Sequence, residues 1–374
     1  MRARHAISRV RAPDEPSAEE RAWSVLRTAY PETVPAPRRR PRRRFAQALL
    51  IAGAAAVLVL SSALASVRLF TPKARTVVKH VPAVTTLPAP GSVLVSSKTG
   101  TWTLAADGTA HRLGPYAQAT WSPRGLYVAV ASGDGLRALN PQGKVIWVLN
   151  RPDVHDPRWY GPSGYRIAYL SGSQLRVVTG DNHDDHLLAA PVAQVAPAWR
   201  PNHPYELAYV TTENRLVIAN ADNGARRGAA IPPGKVTRLA WSADGGRLLV
   251  LTTAAALIYS PDGHDVRRFS GAITAAALSP DGRTLALVRG SDLVLTPIAA
   301  TGKGRRLFSA AGLGQLTWSP DGRWLLASWP PADQWLFVSV VGGPRIAALS
   351  HVRQQFRGFP ELEGWCCAVS GAPG

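Results

Sequence analysis

The residues with the most obvious capacity for chemistry form one short run, Asp181-Asn182-His183-Asp184-Asp185-His186. Carboxylates and imidazoles are common ligands of zinc and of harder divalent cations, so the run has the residue types of a metal site. Its members are sequence neighbours, however, and a metal ion needs ligands that converge from several directions. The spacing therefore favours a polar turn between the third and fourth strands of a repeat unit, and we predict no metal site.

Motifs for catalysis or cofactor binding are missing from the sequence. There is no G-x-S-x-G nucleophile turn and no H-E-x-x-H metalloprotease motif. The three Gly-Lys pairs are followed by Val, Val and Gly, so none completes a phosphate-binding loop. We predict no catalytic residue and no cofactor. Because loops carry function more often than strands, two loops that we expect to be exposed are candidate binding segments, Arg151–His155 and Trp329–Trp335.

The only two cysteines, Cys366 and Cys367, are adjacent. Without a C-x-x-C pair, zinc-ribbon and thioredoxin-like chemistry is excluded. The pair is either two small residues packed in a last strand or a vicinal disulfide, which requires that the domain lie outside the cytoplasm. The sequence leaves both states open.

A membrane anchor is predicted near the N-terminus. Residues 45–67 are 23 residues without a charge, enough to cross a bilayer core of ~30 Å as a helix. The preceding Arg38–Arg44 run places residues 1–44 on the cytoplasmic side and everything after the span outside. Cleavage of a signal peptide ending at Ala65 is the alternative. Residues 68–91 are a Pro-rich linker.

The charge of the chain is positive on both sides of this segment. Residues 1–44 contain twelve Arg and five acids, a net charge of +7 out of +19, which leaves +12 for the remainder. The Arg38–Arg44 run is suited to anionic lipid of the inner membrane. A basic surface on the rest of the chain favours an anionic partner. The tail is mostly disordered by composition, although residues 17–30 contain a capping box and an apolar face.

A repeat dominates residues 92–368. Its marker is Trp-Ser-Pro-Asp-Gly, complete at Trp318–Gly322. Altered copies begin at Trp121, Tyr160, Trp199, Trp241 and Leu278, and the fifth positions of all six copies are spaced by 39, 39, 42, 37 and 40 residues. The Ser-Pro-Asp-Gly part predicts a tight turn in which Pro fixes φ and Gly takes a positive φ. Four short strands in about forty residues are typical of a propeller blade.

The two ends of the repeat region complement one another. The segment from Gly91 to Leu113 has three strands of a blade, and Phe359–Ala368, with Trp365 at the marker position, supplies the missing first strand. Such a join would hide two exposed sheet edges. The predicted fold is therefore all-β, a β-propeller of seven four-stranded blades behind one transmembrane helix; six blades result if the ends do not pair. Residues 369–374 are a C-terminal tail.

The marker and its spacing resemble those of the TolB-type, Trp-Asp-repeat-like propeller families of bacteria, over residues 92–368. The resemblance implies a protein-docking platform in the cell envelope. It does not extend to the N-terminal α/β domain of TolB itself, where this chain has the predicted tail and anchor.

Together these features predict a single-pass protein of the cell membrane whose extracytoplasmic propeller binds an envelope protein or an anionic glycan, and not nucleic acid. Two alternatives stay open. One is an envelope lyase or hydrolase that uses the propeller channel, which acids and histidine lining the channel would favour. The other is a signalling protein whose cytosolic tail engages a regulator.

Overall fold

The computed structural model describes residues 85–161, 165–203, 205–299, 304–343 and 345–367. In this part of the chain, 28 strands form seven four-stranded antiparallel sheets. The first strands are β1 (Ser92–Ser97), β2 (Gly100–Leu104) and β3 (Ala110–Gly114). Blade 1 contains β4 (Gln118–Trp121), β5 (Val128–Ser132), β6 (Gly135–Leu139) and β7 (Val145–Asn150). Blade 2 contains β8 (Val154–Trp159), β9 (Arg166–Ser171), β10 (Gln174–Thr179) and β11 (His186–Ala189).

The remaining blades follow the same order. Blade 3 contains β12 (Ala198–Trp199), β13 (Glu206–Val210), β14 (Leu216–Asn220) and β15 (Arg226–Ala230). Blade 4 contains β16 (Val236–Trp241), β17 (Leu248–Thr252), β18 (Ala255–Tyr259) and β19 (Asp265–Ser270). Blade 5 contains β20 (Ile273–Leu278), β21 (Thr284–Arg289), β22 (Asp292–Pro297) and β23 (Arg305–Ser309). Blade 6 contains β24 (Leu316–Trp318), β25 (Trp324–Trp329), β26 (Gln334–Ser339) and β27 (Ile346–Ser350).

The seventh blade joins the two ends of the domain. A short helix, α1 (Val352–Gln355), leads to β28 (Glu361–Cys366), which pairs with β1 in the order β28-β1-β2-β3. Val93 lies opposite Trp365 in this pairing. The first strands of successive blades contact one another in a closed ring, β4, β8, β12, β16, β20, β24 and β28. The predictions of an all-β propeller, of a composite blade and of seven blades rather than six are confirmed.

The marker turn has the geometry expected from its residues. In Ser319-Pro-Asp-Gly322 the amide of Gly322 donates to the carbonyl of Ser319 at 2.9 Å, and Gly322 has φ of 67°. The Ser319 hydroxyl donates to Asp321 at 2.5 Å and accepts from the amide of Trp324 at 2.9 Å. The side chains of Ser and Asp thus satisfy backbone groups that the turn would otherwise leave unpaired.

The marker Trp connects neighbouring blades. The indole N–H of Trp318 donates to the carbonyl of Ala277, on the first strand of the preceding blade, at 3.1 Å. Trp241 makes the same bond to Ala198 at 3.0 Å, and Trp199 to Arg158 at 2.8 Å. The repeat therefore combines a turn signal with a large apolar side chain that makes one polar contact with the preceding blade.

Blade 2 has a different register from the predicted one. Trp159, rather than Tyr160, occupies the marker position, because it pairs with Ile167 as Trp241 pairs with Leu248. The turn that follows is one residue longer, since the amide of Tyr160 bonds the carbonyl of Arg166. Spacing alone could not reveal this, because Tyr and Trp are both reasonable marker residues.

Burial follows the position of a strand within its blade. Middle strands such as β17 and β18 are buried at every residue because neighbouring blades cover both faces of the sheet. Clusters of apolar side chains fill the spaces between successive blades, for example around Leu325 and Leu336 between blades 5 and 6. The outermost strands are more exposed and more charged. This burial of apolar area is the main force that holds the blades together.

Several predictions concern residues outside the described part of the chain: the tail (1–44) with its short apolar face, the span (45–67) and the terminal residues 369–374. No helix among the described residues has the length and hydropathy needed to cross a bilayer. At the end of the predicted linker, Leu87 and Ala89 are buried against blade 7.

Candidate functional site

The propeller has two distinguishable faces and a central channel between them. One face, here called the marker face, carries the turns between first and second strands and between third and fourth strands. The loop face carries the remaining connections. Seven first strands surround the channel. Functional side chains in this architecture can be expected in the channel, at its two openings, or on the outer strands.

A cavity of about 630 Å³ with several polar side chains in its lining lies on the loop face beside the channel opening. His155, Gln118 and Glu361, from the first strands of three blades, are part of its lining. His155 Nδ1 lies 3.0 Å from the carboxylate of Asp156, and the backbone amide of Asp156 donates to Gln118 Oε1 at 2.6 Å. The hydrogen bond with Asp156 raises the pKa of His155 and so favours its protonated form.

Deeper in the channel lie Arg158, Arg238 and Glu363, on β8, β16 and β28. Each is in or next to an irregularity of its strand, and such bulges commonly redirect a side chain. Glu363 has no direct partner on β1, because Leu94 pairs with Gly364 and Val95 with Leu362. All three residues are half-buried, and protein closely surrounds the charged groups of Arg238 and Glu363.

The electrostatics of this group reflect its depth. Burial raises the pKa of Glu363 to about 7, although Arg158 and the hydroxyl of Ser96 act in the opposite direction. Burial, followed by the like charge of Arg158, lowers the pKa of Arg238. Arg238 and Glu363 are therefore partly stripped of water, and the charge of Arg158 acts on both of them.

A third cluster is on the outer side of the blades. Blades 3 to 7 each present at least one exposed Arg on the outermost strand or directly before its first residue. This set, here called the arginine rim, consists of Arg112, Arg226, Arg227, Arg268, Arg305, Arg306 and Arg345. Blades 1 and 2 have exposed apolar side chains on the corresponding strands instead, among them Ile146 and Leu187.

The run 181–186 is the turn between the third and fourth strands of blade 2, as predicted, and its side chains do not converge. Asp185 accepts hydrogen bonds from Tyr169 at 2.6 Å and Arg176 at 2.9 Å, and also pairs with Arg151. His183 and Asp181 are exposed and 3.5 Å apart. Among the described residues, no group of three or more His, Cys, Asp or Glu side chains could hold a metal ion.

The two candidate binding loops differ in where the structure places their side chains. The segment Arg151–His155 leads directly to the loop-face cavity, where His155 contributes to the lining. The Trp329–Trp335 loop was expected to be exposed, and for Trp335 that was wrong. Trp335 is fully buried and stacks on Phe356, with ring centroids 5.1 Å apart. Its apolar surface serves the junction between blades 6 and 7.

Cys366 and Cys367 form a disulfide at the end of β28. The sulfur of Cys367 lies 3.1 Å from the backbone carbonyl oxygen of Pro123. The pair thus sits beside the marker turn of blade 1, where the composite blade meets its neighbour.

Sequence reasoning missed Arg158, Arg238, Glu363 and the arginine rim. A usable signal existed for the first three, because each lies within three residues of a marker Trp, on strands whose other residues are mostly small or apolar. The rim also has a signal, since Arg-Arg pairs begin at 226, 267 and 305, one in each of three successive units.

Comparison with solved structures supports the fold. KlHsv2 with loop 6CD replaced by a Gly-Ser linker has a TM-score of 0.54 at 13% identity, over 69% of this chain and 93% of that one. The C-terminal WD40 domain of Sif2 also has a TM-score of 0.54 at 13% identity, covering 73% and 90% of the two chains. A chain of the mitotic checkpoint complex has a TM-score of 0.51 at 15% identity, covering 62% and 78%. No protein-family model and no curated protein matches the sequence. These structural similarities show a WD40-like propeller fold.

Proposed function

We propose that this protein is a single-pass membrane protein whose extracytoplasmic propeller is a binding scaffold for a protein or an anionic glycan of the cell envelope. The uncharged segment 45–67 behind an Arg run supports the anchor and its orientation. The WD40-like fold supports a scaffold, because such propellers offer broad, rigid surfaces and little intrinsic chemistry.

The arginine rim is the observation that carries the proposal. Arg268 and Arg306 are exposed on the outer strands of blades 4 and 5, and Arg345 is exposed directly before the outer strand of blade 6. Within the described part of the chain, acids near the rim neutralise it only in part: Arg227 pairs with Glu206 at 2.6 Å, and Arg306 lies 4.0 Å from Asp292. Guanidinium groups bind carboxylates and phosphates through paired hydrogen bonds. A row of guanidinium groups around the outer edge of the propeller is suited to binding an extended anionic chain.

A charge-reversal experiment tests this surface. The triple variant Arg268→Glu, Arg306→Glu, Arg345→Glu changes the rim, while Arg215→Glu, Arg289→Glu, Arg357→Glu changes three exposed Arg of the loop face and serves as the matched control. Full-length protein in detergent would be titrated with purified anionic envelope polysaccharide. We expect the rim variant to bind at least about tenfold more weakly, equivalent to about 1.4 kcal/mol, and the control to bind within about twofold of wild type. Equal loss in both variants would indicate general charge attraction and contradict a specific rim.

A second candidate function is an envelope lyase or hydrolase. The observation that favours it is the loop-face cavity, where His155, Asp156 and Glu361 lie together beside the channel opening. An imidazole held protonated by a carboxylate can donate a proton to a leaving group. The test is product formation from the same polysaccharide by wild type and by His155→Ala. Turnover that is lost in His155→Ala would establish the enzyme, and binding without any product would remove it.

A further inference from the structure

Blade 1 exposes more large apolar side chains than any other blade in the described part of the chain. Ten such side chains are exposed, and five of them belong to blade 1: Leu126, Tyr127, Val145, Ile146 and Val148. Leu126 is 56% exposed and Ile146 is 50% exposed. This set is here called the blade 1 patch. A cluster of exposed apolar side chains usually marks a surface that another molecule covers.

The blade 1 patch lies at the marker-face end of the blade and continues onto its outer strand. Tyr127 comes directly before β5, and Val145 begins β7. The first residue of β5 and the first residue of β7 both pair with Leu139, the last residue of β6. The two parts of the patch therefore lie close together at one end of the sheet. The ring of Tyr127 also stacks on Trp159 of blade 2, with centroids 6.2 Å apart.

The charged residues next to the patch are basic. Arg124 and Lys144, one in each marker-face turn of blade 1, are exposed. The only acid in residues 118–150 is Asp134, which lies at the opposite, loop-face end of the blade and pairs with Arg137 at 3.0 Å. The corresponding turns of blades 7 and 2 contain exposed acids. The surface that is both apolar and basic is therefore confined to blade 1.

The shape of the patch distinguishes between two kinds of covering molecule. β7 is an outermost strand of six residues without a charge, so its backbone edge is suited to pairing with a strand of another chain. An added strand would leave Leu126 and Tyr127 uncovered, because β6 and β7 separate them from that edge. A bilayer surface covers the whole marker-face end of the blade, and its lipid phosphates are ligands for Arg124 and Lys144. The arrangement therefore favours lipid.

The chain enters the propeller next to blade 1. The amide of Leu87 donates to the carbonyl of Ala106, in the marker-face turn between β2 and β3 of blade 7, at 2.9 Å. On the same blade, His111 Nε2 lies 3.0 Å from the carbonyl oxygen of Gln142 in blade 1. Residues 68–84 join the predicted span to this entry point and reach at most about 60 Å when fully extended. Such a tether gives the membrane a high local concentration, so a small patch is sufficient for contact.

We propose that the blade 1 patch binds the surface of an anionic phospholipid bilayer, the membrane that the predicted span crosses. This proposal rests on the membrane anchor proposed above. Leu126 and Ile146 enter the region between headgroups and acyl chains, while Tyr127 lies at the level of the headgroups. Arg124 and Lys144 bind lipid phosphate groups. Blades 4 and 5, on the opposite side of the ring, then face away from the membrane and present their rim arginines to a partner.

Lipid photocrosslinking of the full-length protein tests this surface. The protein is reconstituted in vesicles of phosphatidylcholine and phosphatidylglycerol that contain a phospholipid with a diazirine on its acyl chain. Crosslinked peptides are then identified by mass spectrometry. We expect lipid adducts in residues 45–67, in residues 126–127 and in residues 145–148, and only background levels in blades 4 and 5.

A double variant tests whether the patch acts as one surface. In Leu126→Ser, Tyr127→Ser, adducts at the unaltered residues 145–148 should fall at least about tenfold, because two apolar side chains no longer enter the bilayer. The matched control is Ile231→Ser, Val266→Ser, which removes two exposed apolar side chains from blades 3 and 4. Adducts at 145–148 should remain at the wild-type level in this control.

A charge variant keeps the test decisive if the double serine variant fails to fold. Arg124→Glu, Lys144→Glu should also lower the adducts at residues 145–148. The difference from wild type should be smaller in vesicles of phosphatidylcholine alone, because that surface has no net negative charge. The control Arg268→Glu, Arg306→Glu should leave these adducts unchanged.

The pattern of adducts separates this proposal from the anchor on which it rests. Adducts in residues 45–67 without adducts above background in blade 1 would overturn the proposal and leave the anchor in place. Adducts in blade 1 without any in residues 45–67 would support the patch and remove the anchor. Unchanged adducts at 145–148 in both folded variants would also overturn the proposal. If a lysine-specific reagent joined Lys144 of two copies while blade 1 had no lipid adducts, the patch would be an interface between copies instead.

Discussion

Replacing Glu363 with Gln should change how the stability of the propeller depends on pH. Burial raises the pKa of this carboxyl from 4.5 to about 7 in the folded protein. Below pH 4.5 the group is protonated in both states, so it has no effect on the free energy of unfolding. Between these two pKa values the unfolded state ionises first, and stability falls as the pH rises. Above pH 7 both states are ionised and the loss is constant.

The size of the effect follows from the shift in pKa. At about 1.4 kcal/mol per pKa unit, the full shift corresponds to roughly 3 kcal/mol. The carboxyl keeps some contact with water in the channel, so we expect about half of this, roughly 1–2 kcal/mol. For a domain of this size that is a change of about 2–6 °C in unfolding temperature. Glu363→Gln should therefore gain stability relative to wild type between pH 5 and pH 8.5.

Thermal unfolding of the full-length protein in detergent, at a series of pH values, measures this difference. Comparing variant with wild type at each pH cancels the contributions of all other titrating groups. Asp265→Asn is the matched control: it removes an exposed carboxyl on the outermost strand of blade 4 that is not among the charges acting on Glu363, and it should retain the wild-type pH dependence because Glu363 is still present. If the unfolding temperatures of Glu363→Gln and wild type changed with pH in parallel, the reasoning about burial in the channel would be refuted.

Two further predictions concern the framework of the blades. Trp318→Phe loses the indole hydrogen bond to the preceding blade, so it should lower the free energy of unfolding by about 1 kcal/mol beyond the effect of the smaller ring. The matched variant is Trp365→Phe, because Nε1 of Trp365 has no partner among the described residues. It should lower the free energy of unfolding by less in the same denaturant titration. Glu206→Gln leaves the buried guanidinium of Arg200 without its counter-charge and should cost about 3 kcal/mol, whereas Arg227→Gln, at the exposed side of that carboxylate, should cost under about 1 kcal/mol.

The repeat made most of the fold predictable from sequence. A marker such as Trp318–Gly322 encodes a turn through residues with special backbone preferences, and those preferences act locally. The join of β28 with β1 was predictable for a different reason, because an incomplete blade at one end needs the missing strand from the other. The register of blade 2 was not predictable, since one extra residue in a turn leaves the overall spacing almost unchanged.

The candidate sites were harder to foresee because they depend on residues from distant blades. Arg158, Arg238 and Glu363 are separated by 80 and 125 positions in the chain and meet only when the ring closes. The acidic run 181–186 was conspicuous in sequence, yet Asp185 is occupied by local ionic contacts. Trp335 was misjudged because a loop next to Pro residues suggested exposure, while the contact with Phe356 depends on α1 and the closing blade.

Protease accessibility on intact cells, with separate tags at the N-terminus and the C-terminus, tests the membrane-anchored scaffold most directly. The account predicts that external protease removes the C-terminal tag while the N-terminal tag survives on a membrane-bound fragment of the tail and span. Protection of both tags in intact cells, with cleavage only after lysis, would place the propeller in the cytoplasm and contradict the proposed topology and envelope partner.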